Sequence, residues 1–303
     1  MLHSSDIVAP DKRTPGVIQI DPVIFPVLDK LYTRRIQRLS AQADAQGENG
    51  AYFRFLVRLV QAQQQLLVQS PLGSDDAAAI HALLGQQPAA AQLQSSLLNI
   101  NYWQKAFTAL TQQVVSALSP TVGESLLALS ADKDQLAHAA TYLLHQNYQQ
   151  VDAGVAVVLW AALSTSWAQA VALESSTAQS GTQAVHCPCC GAPPVASLVL
   201  GGAREGLRYL QCSLCEVRWH RVRAVCVDCG ASGKIDHWTL DDAKSAIQIE
   251  TCGDCNTYIK TFRLDYDPEL EALADDLGSF ALDAAIEAEG FRRIGLNPFS
   301  FPA

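Results

Sequence analysis

Apolar residues fall near helical spacing through most of the first half of the chain. Tyr52, Phe55, Leu56, Leu59, Leu66 and Leu67 form one such stripe, and Trp103, Phe107, Leu110, Val114 and Leu118 form another. Pro71, Pro88 and Pro120 punctuate the region where helix boundaries are expected. Residues 27 to about 174 therefore read as helical almost throughout. The run AGVAVVLWAAL (153–163) has no polar face and reads as a buried helix, too short at eleven residues to cross a bilayer.

The pattern changes after ESSTAQSGTQA (174–184), a small, polar segment that reads as a linker. Short β-rich runs then alternate with turns. VASLVL (195–200), GGAREG (201–206) and LRYLQ (207–211) make one strand–turn–strand unit. KIDHWTL (234–240), DDAKSA (241–246) and IQIET (247–251) make a second, and EVRWHRV (216–222) and NTYIKTFRL (256–264) offer each unit a third strand. Trp219, Trp238 and Tyr258 are the expected covers of two small cores. The chain then turns acidic, with one or two short helices, and ends in the aromatic tail RRIGLNPFSFPA, which can pack back on the body.

Cysteine spacing gives these ribbons their chemistry. Cys187/Cys190, Cys212/Cys215, Cys226/Cys229 and Cys252/Cys255 are four Cys-x-x-Cys pairs that use eight of the nine cysteines. Each pair can aim two sulfurs at one ion, and two pairs complete the tetrahedral thiolate set favoured by Zn²⁺ or a single iron. The block is also a repeat: CPCCGA (187–192) parallels CVDCGA (226–231), and YLQCSLC (209–215) parallels IETCGDC (249–255). The simplest assignment gives each copy its own ion. A crossed arrangement, first pair with fourth, would require the halves to interlock. Regular x2 spacing suits metal better than disulfides, and the amino terminus MLHSSDIVAPDKRT has no signal-peptide core, so a reducing, cytoplasmic setting is expected. A thioredoxin-like redox site expects one pair opening a helix, not four on hairpins.

Knuckles of this kind commonly need a positive φ after the second cysteine. Gly191 and Gly230 meet that need, and Asn256 meets it more easily than most residues. Glu216 breaks the pattern, so its knuckle is expected to solve the problem otherwise. Cys189, inside the first pair, reads as a spare thiol, and His186 and His220 read as surface histidines rather than ligands.

The expected class is α+β: an all-helical amino-terminal domain (1–174), a linker (175–186), two tandem rubredoxin- or zinc-ribbon-like tetrathiolate modules (187–222 and 223–264), and an acidic helical segment with a tail (265–303). Of the net charge of −9, residues 1–186 carry −3, residues 187–263 carry +1 and residues 264–303 carry −7. Two divalent ions on eight thiolates add −4 to the middle segment, making it about −3. That is not the positive field that phosphate-backbone binding requires. Arg218, His220, Arg221 and Arg223 form a local basic patch, and Arg34, Arg35 and Arg38 another; both read as solvated faces. There is no nucleophile–base constellation, P-loop or dinucleotide fingerprint. Four-thiolate sites leave no open position for a substrate, so an enzyme is not expected.

CPCCGAPP, RYLQCSLCEVRWHRVRAVCVDCG and ETCGDCNTYIKTF, behind a helical half, together resemble the FdhE family of bacterial formate dehydrogenase accessory proteins. IQIDPVIFPVLDKLYTRRIQRL and GFRRIGLNPF extend the likeness over nearly the whole chain. The resemblance implies a cytoplasmic, non-enzymatic assembly factor that contacts the catalytic subunit of respiratory formate dehydrogenase before export. It also implies rubredoxin-like iron binding, with zinc as the other candidate. Carried over by position, Cys187, Cys190, Cys212 and Cys215 hold one ion and Cys226, Cys229, Cys252 and Cys255 the other. Cys187/Cys190 is the pair expected to matter most for the partner, and Cys189 gains no role. A nucleic-acid-binding zinc ribbon and a rubredoxin-like redox protein are the alternative readings.

Overall fold

The computed structural model describes residues 20–86, 88–173, 184–239 and 245–302. The amino terminus MLHSSDIVAPDKRT, residues 174–183 of the expected linker and residues 241–244 of the second turn lie outside the described residues.

After a two-residue strand, β1 (Val23–Ile24), come α1 (Leu28–Ala45), α2 (Ala51–Gln69), α3 (Ser74–His81), α4 (Ala90–Leu98), α5 (Asn101–Val114), α6 (Pro120–Ala131), α7 (Lys133–Leu144) and α8 (Ala153–Leu173). Local chemistry sets the starts of two of them. Ser119 accepts from the Val122 N–H with Pro120 in the first helical position, and Asp132 accepts from the Asp134 and Gln135 N–H groups.

Helix α8 is the axis of this half, packed against α2, α3, α5, α6 and α7. It runs ten residues past the apolar stretch read from the sequence, for 21 in all, which is long and apolar enough to span a bilayer. Here 89% of its most apolar window is buried inside the protein. Polar residues interrupt the hydropathy but not the helix. Thr165 and Ser166 return their hydroxyls to the carbonyls of Ala161 and Ala162, and the Gln169 amide donates to the Tyr102 hydroxyl and the Thr165 carbonyl.

The ribbon half contributes β2 (Pro194–Val199), β3 (Arg208–Cys212), β4 (Arg218–His220), β5 (Ile235–Trp238), β6 (Ile247–Cys252) and β7 (Thr257–Arg263). Short helices α9 (Ala272–Gly278) and α10 (Phe280–Ala288) and strand β8 (Arg292–Arg293) follow. The α+β class is as expected, but the two ribbons are not separate bodies. They share one sheet in the order β1-β4-β3-β2-β7-β6-β5, with β8 also on β7. The junction is a parallel pairing of β2 with β7, in which Ser197 faces Thr261 and Val199 faces Arg263. Residues before α1 join the sheet too, with Val23 opposite Trp219.

Trp219 and Tyr258 are fully buried, as expected of core covers, whereas Trp238 on the edge strand β5 is 41% exposed and donates to the Thr251 hydroxyl. The acidic segment lies against the sheet and α1. Lys260, fully buried, reaches Asp276 and Asp283, and Arg38 holds Asp275 at 2.6 Å. The tail returns to the helices, where Phe301 packs on Tyr148 and Trp160. Gly295 sits so close to the Pro194 carbonyl that a Cβ there would lie 1.9 Å from its oxygen, which locks the tail beside the first knuckle.

Candidate metal centres

Each centre is built from two turns that differ in kind. In the first type the chain doubles back after the second cysteine. The Cys187 N–H donates to Ala192 and the Gly191 N–H to Cys187, both at 2.9 Å; the Cys226 N–H donates to Ala231 at 2.7 Å and the Gly230 N–H to Cys226 at 3.2 Å. Gly191 and Gly230 both have φ of 76°, the left-handed region where glycine has no Cβ clash. The second type follows a hairpin strand, β3 or β6. In the first copy the Leu214 and Cys215 N–H groups both point at the Cys212 sulfur at 3.3 Å, damping its charge.

These turns bring together Cys187, Cys190, Cys212 and Cys215 in one group and Cys226, Cys229, Cys252 and Cys255 in another. The pairing is the uncrossed one. Within each group all sulfurs lie within 4.8 Å of one another. Cys187–Cys215 and Cys190–Cys212 are 3.5 and 3.4 Å apart, and Cys226–Cys255 and Cys229–Cys252 are 3.6 and 3.7 Å apart. A tetrahedral ion with metal–sulfur bonds of about 2.3 Å needs sulfur–sulfur edges of about 3.8 Å, so both groups fit one such ion. Neither His186 nor His220 belongs to a group. His186 is exposed as expected, but His220 is buried, with its ring edge-on to Tyr209.

The thiols of the first group are unequal. Burial opposes ionisation of Cys187, but donation from Cys189, Cys212 and Cys215 brings it down to about 6. Cys189 donates its S–H to the Cys187 sulfur and keeps its proton, its own pKa pushed well up by that bond and by burial. Its place is therefore beside a candidate ligand, outside the four. In the second group burial pushes Cys226 up to about 12.

The surroundings of the two groups differ most around the second-type turns. Asn256 takes φ of 55°, as its type allows. Glu216 takes the same conformation, φ 62°, although it is neither glycine nor asparagine. The expectation of a different solution at this knuckle is therefore corrected: Glu216 accepts the unfavourable backbone because its side chain is held. Arg35 of α1 grips both Glu216 carboxylate oxygens, at 2.8 and 3.1 Å, and the Gln211 amide donates to one of them at 2.9 Å. The same guanidinium reaches Glu271, whose carboxylate caps α9 through the Leu273 and Ala274 N–H groups. Burial opposes charge on Arg35, but the two carboxylates outweigh it and raise its pKa.

Helix α8 closes this clamp. Trp160 donates to the Ser213 carbonyl at 2.9 Å and Ser164 to the Leu214 carbonyl at 2.7 Å. The first centre is thus keyed into the helical half through its turn backbone and the Glu216 side chain. Nothing in the sequence singles out Glu271, Trp160 or Ser164; Glu216 stands out only as a misfit after Cys215, and Arg35 only as part of a basic patch. The expectation that Arg35 lies on a solvated face is wrong, since it is 2% exposed. The 218–223 patch is likewise dispersed: Arg218 donates to Gln211, and buried Arg221 donates to the Cys226 and Val227 carbonyls.

Where the helical half meets the first knuckle, a cavity of 420 Å³ opens between Trp160, Trp167, Leu93 and Leu144 on one side and Cys190 and Pro193 on the other.

The family follows from the whole chain. Residues 20–181 match the FdhE N-terminal family, residues 186–223 the FdhE central domain and residues 224–300 the FdhE C-terminal domain. The chain belongs to the FdhE family. Protein FdhE of Escherichia coli (strain K12) is 38% identical over 309 aligned residues, covering all of this chain and 97% of that protein. A homologue from Citrobacter koseri is 37% identical over the same span. The crystal structure of the FdhE protein from Pseudomonas aeruginosa superposes with a TM-score of 0.79 at 30% identity, covering 93% of this chain and all of that one. The FdhE architecture of helical half, paired ribbons and short terminal helices is therefore shared with a solved relative.

Proposed function

We propose that this protein is a cytoplasmic, non-enzymatic accessory factor that holds the immature catalytic subunit of a respiratory formate dehydrogenase during assembly. Cys187, Cys190, Cys212 and Cys215 ligate one metal ion, and Cys226, Cys229, Cys252 and Cys255 ligate a second. The donor set accepts iron and zinc alike, and the family resemblance favours iron. In this reading residues 1–174 are the helical part, joined through the 175–186 linker to the ribbons at 187–222 and 223–264, with the acidic segment and tail at 265–303 as a clasp.

One observation carries the proposal. A four-sulfur centre with no ligand position left for a substrate sits beside a cavity lined by both halves of the chain. A closed four-thiolate site offers no open position at which a substrate could be transformed, which supports a holding role over a catalytic one. Cys190 lines that cavity, which supports a role for the first pair at the partner surface. The nucleic-acid reading loses its footing, because the basic patch on which it depended is largely turned inward or paired.

The test is co-purification of the catalytic subunit with the tagged protein from cells, repeated with Cys187→Ala/Cys190→Ala protein. Cys187 is buried, so melting temperature must be followed in parallel. The subunit is expected with wild type and reduced with the variant. Undiminished formate dehydrogenase activity in a strain lacking the protein overturns the proposal.

A second reading has its own support: Cys229 is exposed, so the second centre can exchange electrons with an outside partner as rubredoxin-like sites do. Iron content with a reversible visible spectrum in protein from its own host tests it, and a colourless zinc protein rules it out.

A further inference from the structure

The parallel seam between the ribbons carries a different kind of site. Strand residues alternate between faces. Tyr258 and Lys260 of β7 point toward α9 and α10, where they bond Asp276, Asp283 and Glu287. Thr261 and Arg263, an odd number of positions from that pair, share the opposite face with their partners Ser197 and Val199 of β2. On that face lies a cavity of 330 Å³, with Arg208, Arg223, His237, Thr261 and Arg263 in its wall.

Three guanidiniums line this space against two nearby carboxylates. Arg208 is paired with Glu250 at 2.8 Å, and Arg263 with Asp265 at 2.6 Å. Arg223 is exposed and forms no salt bridge among the described residues, though its charge also acts on Asp265. Among the described residues, three positive charges less two negative leave one positive charge in excess, before His237 is counted. Arg208 and Arg263 are fixed in place, the first by donation to Ser197 and to the Val222 and Val225 carbonyls, the second by stacking 3.9 Å over Tyr266.

Thr261 provides the independent sign of a ligand. It is 4% exposed, and its hydroxyl has no hydrogen-bond partner. Buried hydroxyls are rarely left so, because the lost bond to water is not replaced. An acceptor-rich group entering the cavity would meet that need and the excess charge together.

We propose that the cavity binds a small oxyanion, a phosphate or carboxylate group borne by a small molecule. Arginine recognises both groups through charge-assisted hydrogen bonds. The volume is at the lower end of small-molecule sites, which suits a metabolite-sized ligand rather than a polymer. Arg223 supplies the unpaired charge, Arg263 and Arg208 the fixed electrostatic wall, and Thr261 a hydroxyl donor. This site is independent of the metal centres and of the assembly role, and can exist or fail without either.

The experiment is calorimetric titration of the full-length, metal-loaded protein with inorganic phosphate and, separately, with succinate, at constant ionic strength. Saturable binding of one equivalent is expected, and the tighter of the two probes identifies which oxyanion the cavity prefers. Arg223→Ala, at an exposed position, is expected to weaken the better probe at least about tenfold without lowering the melting temperature. Thr261→Val separates a ligand role from a structural one. A purely structural hydroxyl without a partner predicts equal or higher stability and unchanged affinity, whereas the proposal predicts weakened affinity at equal or higher stability. No saturable binding of either probe by wild type, or unchanged affinity in both variants, overturns the proposal.

Discussion

The two four-cysteine centres are copies of one ribbon placed in opposite circumstances. The first is wrapped: Cys187, Cys212 and Cys215 are buried, α8 bonds its turn carbonyls, and Arg35 ties its knuckle to α1 and α9. The second lies toward the sheet edge, with Cys229 exposed, Cys255 half-buried and an exposed Lys234–Asp254 pair nearby. The same local geometry therefore serves two ends. In one copy a bound ion would be part of the global core; in the other it would staple a peripheral hairpin. The difference comes from what each knuckle touches, which the repeat itself does not encode.

Metal removal should break the symmetry most visibly. With a chelator in excess, one equivalent is expected to leave quickly from the second centre and the other about a hundredfold more slowly or only on unfolding, as read by metal release with an indicator dye. Two equal rates would undo the contrast. Substitution of ligands is the next largest effect. Cys215→Ser should cost more than about 4 kcal/mol and unfold helices and sheet together, while Cys255→Ser costs clearly less and leaves helical circular dichroism intact. Denaturant titration compares them.

Arg35→Leu probes the clamp without touching a cysteine. It leaves Glu216 and Glu271 buried without their cation, for a loss of about 3–5 kcal/mol in the same titration. The finest comparison concerns the two positive-φ residues. Asn256→Gly should be neutral or stabilising by up to about 1 kcal/mol, since it relieves backbone strain at an exposed site. Glu216→Gly relieves the same strain but deprives Arg35 of a buried partner, and is expected to destabilise by about 2 kcal/mol. Equal effects of the two substitutions would show that the side chain of Glu216 holds nothing.

Much of the candidate site was legible because its information is local. Spacing within each pair, glycine after the first and third pairs and the repeat of both units identify which sulfurs meet, and each copy closes over no more than thirty residues. What was not legible depends on distant partners. Arg35 sits in a run of polar and charged residues that reads as a wet helix face, and its carboxylates lie 181 and 236 positions away. The buried Arg221 and His220 were misjudged for the same reason, as was the length of α8, whose second half hides hydroxyls by bonding them to its own backbone. Trp238 departs from expectation in the other direction, an aromatic side chain on a strand with no neighbour on its outer side among the described residues.

The parallel β2–β7 pairing also has a meaning in time. Synthesis delivers β2, β3 and β4 before the second ribbon exists, so the first centre can close around its ion while one edge of β2 still lacks a neighbour. That edge is completed only when β7 emerges, more than fifty residues later. Until then the nascent chain presents an open strand of apolar and small residues, the kind of edge that pairs with the wrong chain. Chains interrupted between the two ribbons should therefore aggregate even with their first centre loaded, and the second ribbon acts as the cap that makes the first one safe to release.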